Sequence, residues 1–223
     1  LAEKYQQKRK KMEAEEEQPC VSTDGIRVQV EGNIGRPADL DMALEHSVEG
    51  IGLYRTEFNY LSRSTLPEED MLAQEYGRAA AAFGEDGVVL RVLDVGGDKF
   101  PPSIPLAHED NPFLGLRGLR LLLRHEEDLL LPQLRAMMRA SARGRVSVLY
   151  PMVASVEELE RAQVVFERAR EKVREETETD PSKAGREVGY QPAWDDWEVR
   201  KRLLRNGISR REVIAEYKAR LQG

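Results

Sequence analysis

This 223-residue chain has one cysteine, three histidines and no long apolar run. The lone cysteine, Cys20, excludes an intrachain disulfide and favours a reducing, cytoplasmic compartment. The apolar stretches fall far short of the roughly 20 residues that a membrane helix needs, and the first residues lack the apolar core of a signal peptide. Basic residues number 34 against 40 acidic ones, so we expect neither a nucleic-acid partner nor a membrane.

The few cysteine and histidine residues also lack the spacing of a reactive site. His46 falls in the middle of a helical pattern, and His108 and His125 have no Cys, His or Asp neighbours at metal-ligand spacing. Cys20 has no nearby base that would activate its thiol. We therefore predict no catalytic and no metal-ligating residue in this chain.

What the chain does have is an alternation of strand and helix patterns. Short β-branched or apolar runs predict strands at 26–34, 51–54, 88–95 and 145–150. Helical patterns follow them at 40–48, 67–83, 114–123, 128–142 and 155–176. Such alternation implies a parallel sheet with right-handed crossovers. Because no GxGxxG turn is present, we predict an α/β fold of the (β/α) TIM-barrel type, with only about the first four of its eight units.

Two segments flank this predicted partial barrel. Residues 1–19 mix Lys, Arg and Glu without an apolar face, which predicts a solvated helical linker. The chain has no initiator Met, so we expect it to begin inside a longer protein. Residues 177–223 are predicted as a polar linker and a two-helix tail of unknown role, in which Trp194 and Trp197 form a packing or partner surface. The barrel part then covers 20–176.

Three arginines fall near the predicted strand ends, where parallel α/β folds bind ligands. Arg55 ends the second strand, Arg91 lies within the third, and Arg117 lies on the helix that follows. A guanidinium group matches a phosphate or carboxylate with two parallel hydrogen bonds. Converging arginines therefore predict a ligand with more than one negative charge. Gly96 and Gly97 would let backbone N–H groups approach it.

The alternative interpretation is that each arginine pairs with an acid nearby in the sequence: Arg55 with Glu57, Arg91 with Asp94, and Arg117 with Asp110. Ion pairs and solvated surfaces are the common uses of a single arginine. Arg91 is the hardest of the three to explain in this way, because it lies inside an apolar strand where an unpaired charge would be costly. It needs a partner, which either the protein or a ligand would supply.

Five motifs, in order along the chain, resemble a known family. They are GIGLYRTEFNYLSRSTLPEED (50–70), LRVLDVGGDK (90–99), EDNPFLGLRGLR (109–120), LPQLRAMMRASA (131–142) and YPMVASVEEL (150–159). Together they are similar to the C-terminal phosphoenolpyruvate (PEP)-binding barrel of enzyme I, the PEP–protein phosphotransferase of the bacterial sugar phosphotransferase system. PEP synthase and pyruvate phosphate dikinase share this barrel, but LYRTEF and GGDK are closer to enzyme I.

This resemblance implies a set of substrate-binding residues and a reaction. The phosphate and carboxylate of PEP would contact three arginines, with three further side chains near the same mouth: Arg55, Arg91 and Arg117, then Asn33, Asp94 and Lys99. The reaction would be transfer of a phosphoryl group to a histidine, aided by Mg²⁺. A phosphohistidine domain and a phosphocarrier protein would be the partners.

Several segments of that family are missing from the sequence. We find no VETP-like or GTNDL-like segment, which would supply the metal ligands, no CGE-like loop and no TSH-like phosphohistidine motif. We therefore expect the PEP-binding part of a phosphotransferase that is inactive as an isolated chain. The alternatives are a non-catalytic anion-binding or scaffold module derived from that barrel, and a fragment of a PEP synthase or pyruvate phosphate dikinase relative.

A half barrel would also leave the edge of its fourth strand unpaired. Parallel sheets are normally covered on both faces. We expect a second copy to pair with this edge in a homodimer, or the tail helices to cover it, or the fold to be marginal.

Overall fold

The computed structural model describes residues 6–7, 19–46, 48–96 and 115–179. The strands are β1 (Gly32–Ile34), β2 (Ile51–Arg55), β3 (Val88–Arg91) and β4 (Val146–Leu149). The α-helices are α1 (Pro37–Glu45), α2 (Phe58–Leu61), α3 (Glu69–Phe83), α4 (Gly118–Arg124), α5 (Leu131–Ala140) and α6 (Val156–Thr179). Within these ranges, every helix is too short or too polar to cross a lipid bilayer.

The four strands form one parallel sheet in the order β1-β2-β3-β4. Each strand lies beside the next strand in the chain, and each connection contains at least one helix. A doubly wound sheet would reverse its strand order at a switch point, whereas a (β/α) barrel adds strands in sequence around one axis. The described residues therefore form an open segment of a TIM-type barrel, as the sequence predicts, and the sheet does not close.

The two faces of the sheet have different surroundings. Tyr54 and Leu90 are register partners and are buried under the helices. The Tyr54 ring meets the Tyr76 ring of α3 edge-on, with 6.0 Å between the ring centroids. Arg55 and Arg91, the next pair in the ladder, project from the opposite face, because consecutive side chains of a strand alternate. The helices thus cover one face and leave the arginine face uncovered by them.

The helical layer forms because each long helix has one apolar face. In α3 the buried positions Leu72, Tyr76, Ala79, Ala80 and Phe83 recur at helical spacing. Glu69 and Asp70 lie in the first turn of this helix, where the helix dipole favours acids. Helix α5 packs between α3 and α6. This layer places the N-terminal end of α5 beside the loops that follow β2 and β3.

Three strands are shorter than the sequence predicts: β4 by one residue at each end, and β1 and β3 by several residues at one end. β1 begins at Gly32 and not at residue 26, because the preceding residues have no strand beside them: Val28 bonds through its backbone N–H to Cys20, and its side chain is half exposed. β3 ends at Arg91 and not at residue 95. Beyond it, the N–H groups of Leu93 and Asp94 donate to side chains instead of a neighbouring strand.

The arrangement around α4 also differs from the prediction. α4 begins at Gly118, so Arg117 is its N-cap residue and does not lie within the helix. The predicted helix 128–142 consists of a π-helical turn (Glu126–Leu130), α5 and a 3-10 turn (Ser141–Arg143). Pro132 lies in the first turn of α5, as expected of a proline that a helix tolerates.

The starts of α1 and α6 follow the predicted signals closely. Pro37 is at the first turn of α1, which covers 37–45 instead of 40–48. At α6, the Ser155 hydroxyl accepts a hydrogen bond from the Glu158 N–H. The Glu158 carboxylate accepts one from the Ala154 N–H, one residue earlier than in a standard capping box. The short helix α2 was not predicted.

Some predictions lie outside the described residues. They concern most of the linker 1–19, the tail from residue 180 onward, and the loop that holds Lys99, His108 and Asp110. The boundaries of the three predicted domains stay predictions.

Candidate functional site

The site is built on the carboxyl ends of β2 and β3. Arg55 and Arg91 are the last residues of these strands and face each other in register. Asn33 on β1 pairs with Leu53, two residues before Arg55, so it lies on the same face of the sheet. Three of the predicted residues are therefore on one face. Arg91 is at the end of its strand and not in its middle, which places it closer to the mouth than the sequence suggests.

Arg91 is held by two carboxylates of the protein. Its Nη2 lies 2.5 Å from Glu57 Oε1, and its Nη1 lies 3.4 Å from Asp94 Oδ2. The Arg91 side chain is 21% exposed. Among the described residues, nothing accepts a hydrogen bond from its Nε. The charge of Arg91 thus has protein partners, and part of its hydrogen-bonding capacity is left over.

Asp94 links Arg91 to Arg117. Its Oδ1 lies 3.3 Å from Arg117 Nη2, so one carboxylate contacts two guanidinium groups. These two guanidinium groups would repel each other without a negative charge between them. The structure therefore brings Arg91, Asp94 and Arg117 into one cluster, and Arg55 lies on the neighbouring strand.

Gly96 lets Arg117 approach this loop. A Cβ atom on Gly96 would lie 2.1 Å from the Cβ of Arg117, and the φ of Gly96 is +149°. The Gly118 N–H donates to the Val95 carbonyl at 3.1 Å. Gly96 is thus required for packing against Arg117, a reason that differs from the close approach to a ligand predicted above. Gly97 lies outside the described residues.

The loop after β1 packs against Arg55. The N–H groups of Gly35 and Arg36 donate to Asp39 Oδ2, and these bonds, chiefly the one from Gly35, lower the pKa of Asp39. A Cβ on Gly35 would lie 2.8 Å from the Phe58 ring and 3.5 Å from Arg55 Nη2. The absence of a side chain at Gly35 therefore makes room for Phe58 and for the Arg55 guanidinium.

The ion pairs agree only in part with the pairings predicted as an alternative. Arg91 does pair with Asp94, as that interpretation holds. The prediction that Arg55 pairs with Glu57 is wrong, because Glu57 pairs with Arg91. Arg117 pairs with Asp94, while Asp110 and Lys99 lie outside the described residues.

Sequence reasoning missed a buried polar network beneath the cluster. Gln133 on α5 accepts a hydrogen bond from the Leu93 N–H at 2.9 Å and donates to Thr56 Oγ1 at 2.9 Å and to the Tyr76 hydroxyl at 3.2 Å. Thr56 in turn donates to the Arg91 carbonyl at 2.8 Å. The signal that could have revealed it is a glutamine in the otherwise apolar buried face of a helix.

This arrangement suits anion binding more than chemistry. Arg91 and Arg117 are matched by Glu57 and Asp94, and Arg55 adds an exposed positive charge at the same edge. Across the described ranges, no three His, Cys, Asp or Glu side chains are grouped so as to hold a metal ion. Glu57 and Asp94 already neutralise arginines. The described residues thus do not fit the Mg²⁺ that the resemblance implies.

Comparison with known proteins identifies the family. The sequence model of one protein family, described as "PEP-utilising enzyme, PEP-binding domain", matches residues 9–189. The chain belongs to this family. The matched range includes β1 to β4 and all the arginines of the site.

Curated relatives agree with this assignment to the PEP-binding domain family. The chain is 38% identical over 174 residues to a phosphoenolpyruvate-protein phosphotransferase of Staphylococcus aureus, with 78% of this chain and 30% of the relative covered. It is 42% identical over 173 residues to the protein of that name from Geobacillus stearothermophilus, covering 74% and 30%. It is 43% identical over 156 residues to the protein of that name from Staphylococcus carnosus, with 70% of this chain and 27% of the relative covered. The chain thus spans less than a third of the length of these relatives.

Proposed function

We propose that this chain is the PEP-binding part of a PEP–protein phosphotransferase, and that it supplies an anion clamp for the substrate. The observation that carries the proposal is the convergence of Arg91 and Arg117 on Asp94 at the carboxyl end of β3. Arg55 lies in register beside Arg91. Relatives at 38–43% identity named as phosphoenolpyruvate-protein phosphotransferases support the choice of substrate.

The chemistry of PEP fits such a clamp. The molecule has a phosphate and a carboxylate, and each presents a pair of oxygens that a guanidinium can match with two hydrogen bonds. Two or three arginines at the carboxyl ends of neighbouring strands provide enough hydrogen-bond donors for both groups. The partial burial of Arg91 strengthens each bond, because the screening by water is reduced there.

The other predicted residues have supporting places in this proposal. Asp94 is the counter-ion of Arg91 and Arg117, and Asn33 offers an amide on the same face. Lys99 is proposed for the same mouth on the resemblance alone. The phosphohistidine domain, the phosphocarrier protein, a cytoplasmic setting and Mg²⁺ are proposed for the longer protein. The Mg²⁺ ligands would come from outside the described residues.

Phosphoryl transfer depends on positioning and on stabilising charge around an in-line acceptor. The proposed clamp positions PEP and supplies neither the acceptor histidine nor a metal. We therefore propose that the isolated chain binds PEP weakly and does not turn it over. The test is a pyruvate-release assay with the isolated chain, PEP and Mg²⁺. A rate equal to the no-protein control is expected, and a rate above it would contradict the proposal.

A further inference from the structure

We propose that Glu57 is a positioning residue that holds Arg91 in the orientation the anion clamp needs. This inference rests on the proposed function and deepens it, because it names a residue of the same site that acts through Arg91. Glu57 lies in the LYRTEF motif, but it is not among the substrate-binding residues that the resemblance implies. Its contacts in the structure are what indicate a role.

Glu57 makes two contacts with a single oxygen. Its Oε1 accepts from Arg91 Nη2 at 2.5 Å and from the Asp94 backbone N–H at 3.2 Å. The first contact fixes the guanidinium, and the second fixes the loop that carries Asp94. One carboxylate oxygen thus sets the positions of both groups relative to β2.

The backbone of Glu57 is itself fixed. Its carbonyl accepts hydrogen bonds from the N–H groups of Tyr60 at 3.0 Å and Leu61 at 2.9 Å, in the first turn of α2. The side chain is 11% exposed. A charged group so nearly buried is stable only when it is paired, so Arg91 and Glu57 restrict each other.

Glu57 also leaves Asp94 available to Arg117. Arg91 contacts Glu57 at 2.5 Å and Asp94 at 3.4 Å, so Glu57 is its closer partner. Without Glu57, Arg91 would depend on Asp94, which Arg117 also contacts. We expect the two guanidinium groups then to compete for one carboxylate and to lose the spacing that two anionic groups of one ligand require.

Two variants separate the parts of this role. Glu57→Ala removes the acceptor and the charge, whereas Glu57→Gln keeps an oxygen that accepts from both groups and removes only the charge. Glu75→Ala is the matched control: Glu75 is a partly buried carboxylate that bonds to the Tyr54 hydroxyl beneath the helix-covered face. All are made in the full chain.

The first measurement is amide hydrogen exchange by NMR, which needs no ligand. We expect exchange of the Asp94 N–H to rise about tenfold or more in Glu57→Ala, with an intermediate value in Glu57→Gln, since one hydrogen bond protects it. The Leu93 N–H, which bonds to Gln133, should change little. An Asp94 N–H that exchanges at the wild-type rate in Glu57→Ala would overturn the inference.

The second measurement is PEP affinity by calorimetry. We expect Glu57→Ala to weaken binding about tenfold, Glu57→Gln to restore part of that loss, and Glu75→Ala to bind as the wild type does even if its melting temperature falls. Equal affinities of Glu57→Ala and wild type would overturn the positioning role. A wild-type chain that does not bind PEP overturns the proposed function instead, and the exchange data still decide whether Glu57 holds Arg91.

Discussion

Arg55 and Arg91 are register partners at the last positions of β2 and β3. Their Cα atoms are thus placed by the hydrogen-bonded sheet, which is the most rigid part of such a fold. Arg91 is then oriented by Glu57, two residues after Arg55, so the end of β2 determines the position of both arginines.

Replacing Asp94 with Asn should strengthen anion binding and weaken the fold. The carboxylate contacts both Arg91 and Arg117. Because asparagine keeps an oxygen at this position and Glu57 still holds Arg91, the main effect is to leave more positive charge for a ligand to neutralise. We expect PEP affinity to rise about threefold to tenfold, while the free energy of unfolding falls by about 1 kcal/mol. Calorimetry and urea unfolding measure the two effects. Weaker binding by Asp94→Asn would show that Asp94 orients the clamp more than it competes with the ligand.

Replacing Gln133 with Leu should destabilise the chain and the site together. The amide satisfies the Leu93 N–H, Thr56 and the Tyr76 hydroxyl, all inside the core. Losing these three hydrogen bonds should lower the free energy of unfolding by about 3 kcal/mol, since buried polar groups are left unpaired. Urea unfolding checks this. Gln163→Leu is the control, because Gln163 bonds only to Glu167 on its own helix among the contacts described. Equal effects of the two variants would contradict the network.

The chain should lose stability at alkaline pH because of its buried tyrosines. Burial raises the pKa of Tyr54, Tyr60 and Tyr76, and the bond to Glu75 adds to the effect at Tyr54. The folded chain then keeps protons that the unfolded chain releases above about pH 10. The stability these groups contribute is complete below that pH and is lost as pH rises towards the folded pKa values, by about 1.4 kcal/mol per pH unit for each tyrosine.

Denaturant unfolding between pH 9 and 11.5, with absorbance at 295 nm to follow phenolate, measures this loss. Tyr60→Phe should reduce the loss of unfolding free energy per pH unit by the contribution of one tyrosine, about 1.4 kcal/mol. Phenolate that appears at pH 10 for these three residues in the folded chain would contradict the prediction.

An ion cluster between three helices should contribute to stability. Arg135 on α5 bonds to Glu69 on α3 at 2.7 Å and to Glu176 on α6 at 2.7 Å. Burial acts to lower the pKa of Arg135, but the bonds to these carboxylates outweigh it and the pKa is raised. We expect Arg135→Ala to cost about 2 kcal/mol in thermal unfolding. Arg174→Ala, whose pair with Glu171 is exposed, should cost almost nothing; equal costs would contradict the prediction.

The sheet order and the position of Arg55 at the end of β2 were predictable from the sequence, because both depend on local patterns. Strand and helix periodicity predicts four β/α units, with Arg55 at the end of the second strand and Arg91 inside the third. The end of β3 was not predictable. β3 stops at Arg91 because Gln133, 40 residues away in the chain, captures the Leu93 N–H.

The partners of the arginines were missed for a similar reason. Glu57 looked like a neighbour of Arg55, yet it bonds to Arg91 across 34 residues of sequence. Strand pairing determines such a contact, and sequence spacing does not show it. The helical apolar spacing of LGLRGLRLLL predicts Arg117 on a helix, whereas packing against Gly96 holds it at the N-cap.

We propose above that the end of β3 binds PEP through Arg91. The most direct measurement is calorimetric titration of PEP into three forms of the chain: wild type, Arg91→Ala, and Arg174→Ala as a control that removes an exposed arginine of α6. We expect weak, saturable binding by the wild type and the control, and affinity about tenfold or more lower in Arg91→Ala. Equal binding by all three, or no saturable binding by the wild type, would contradict it.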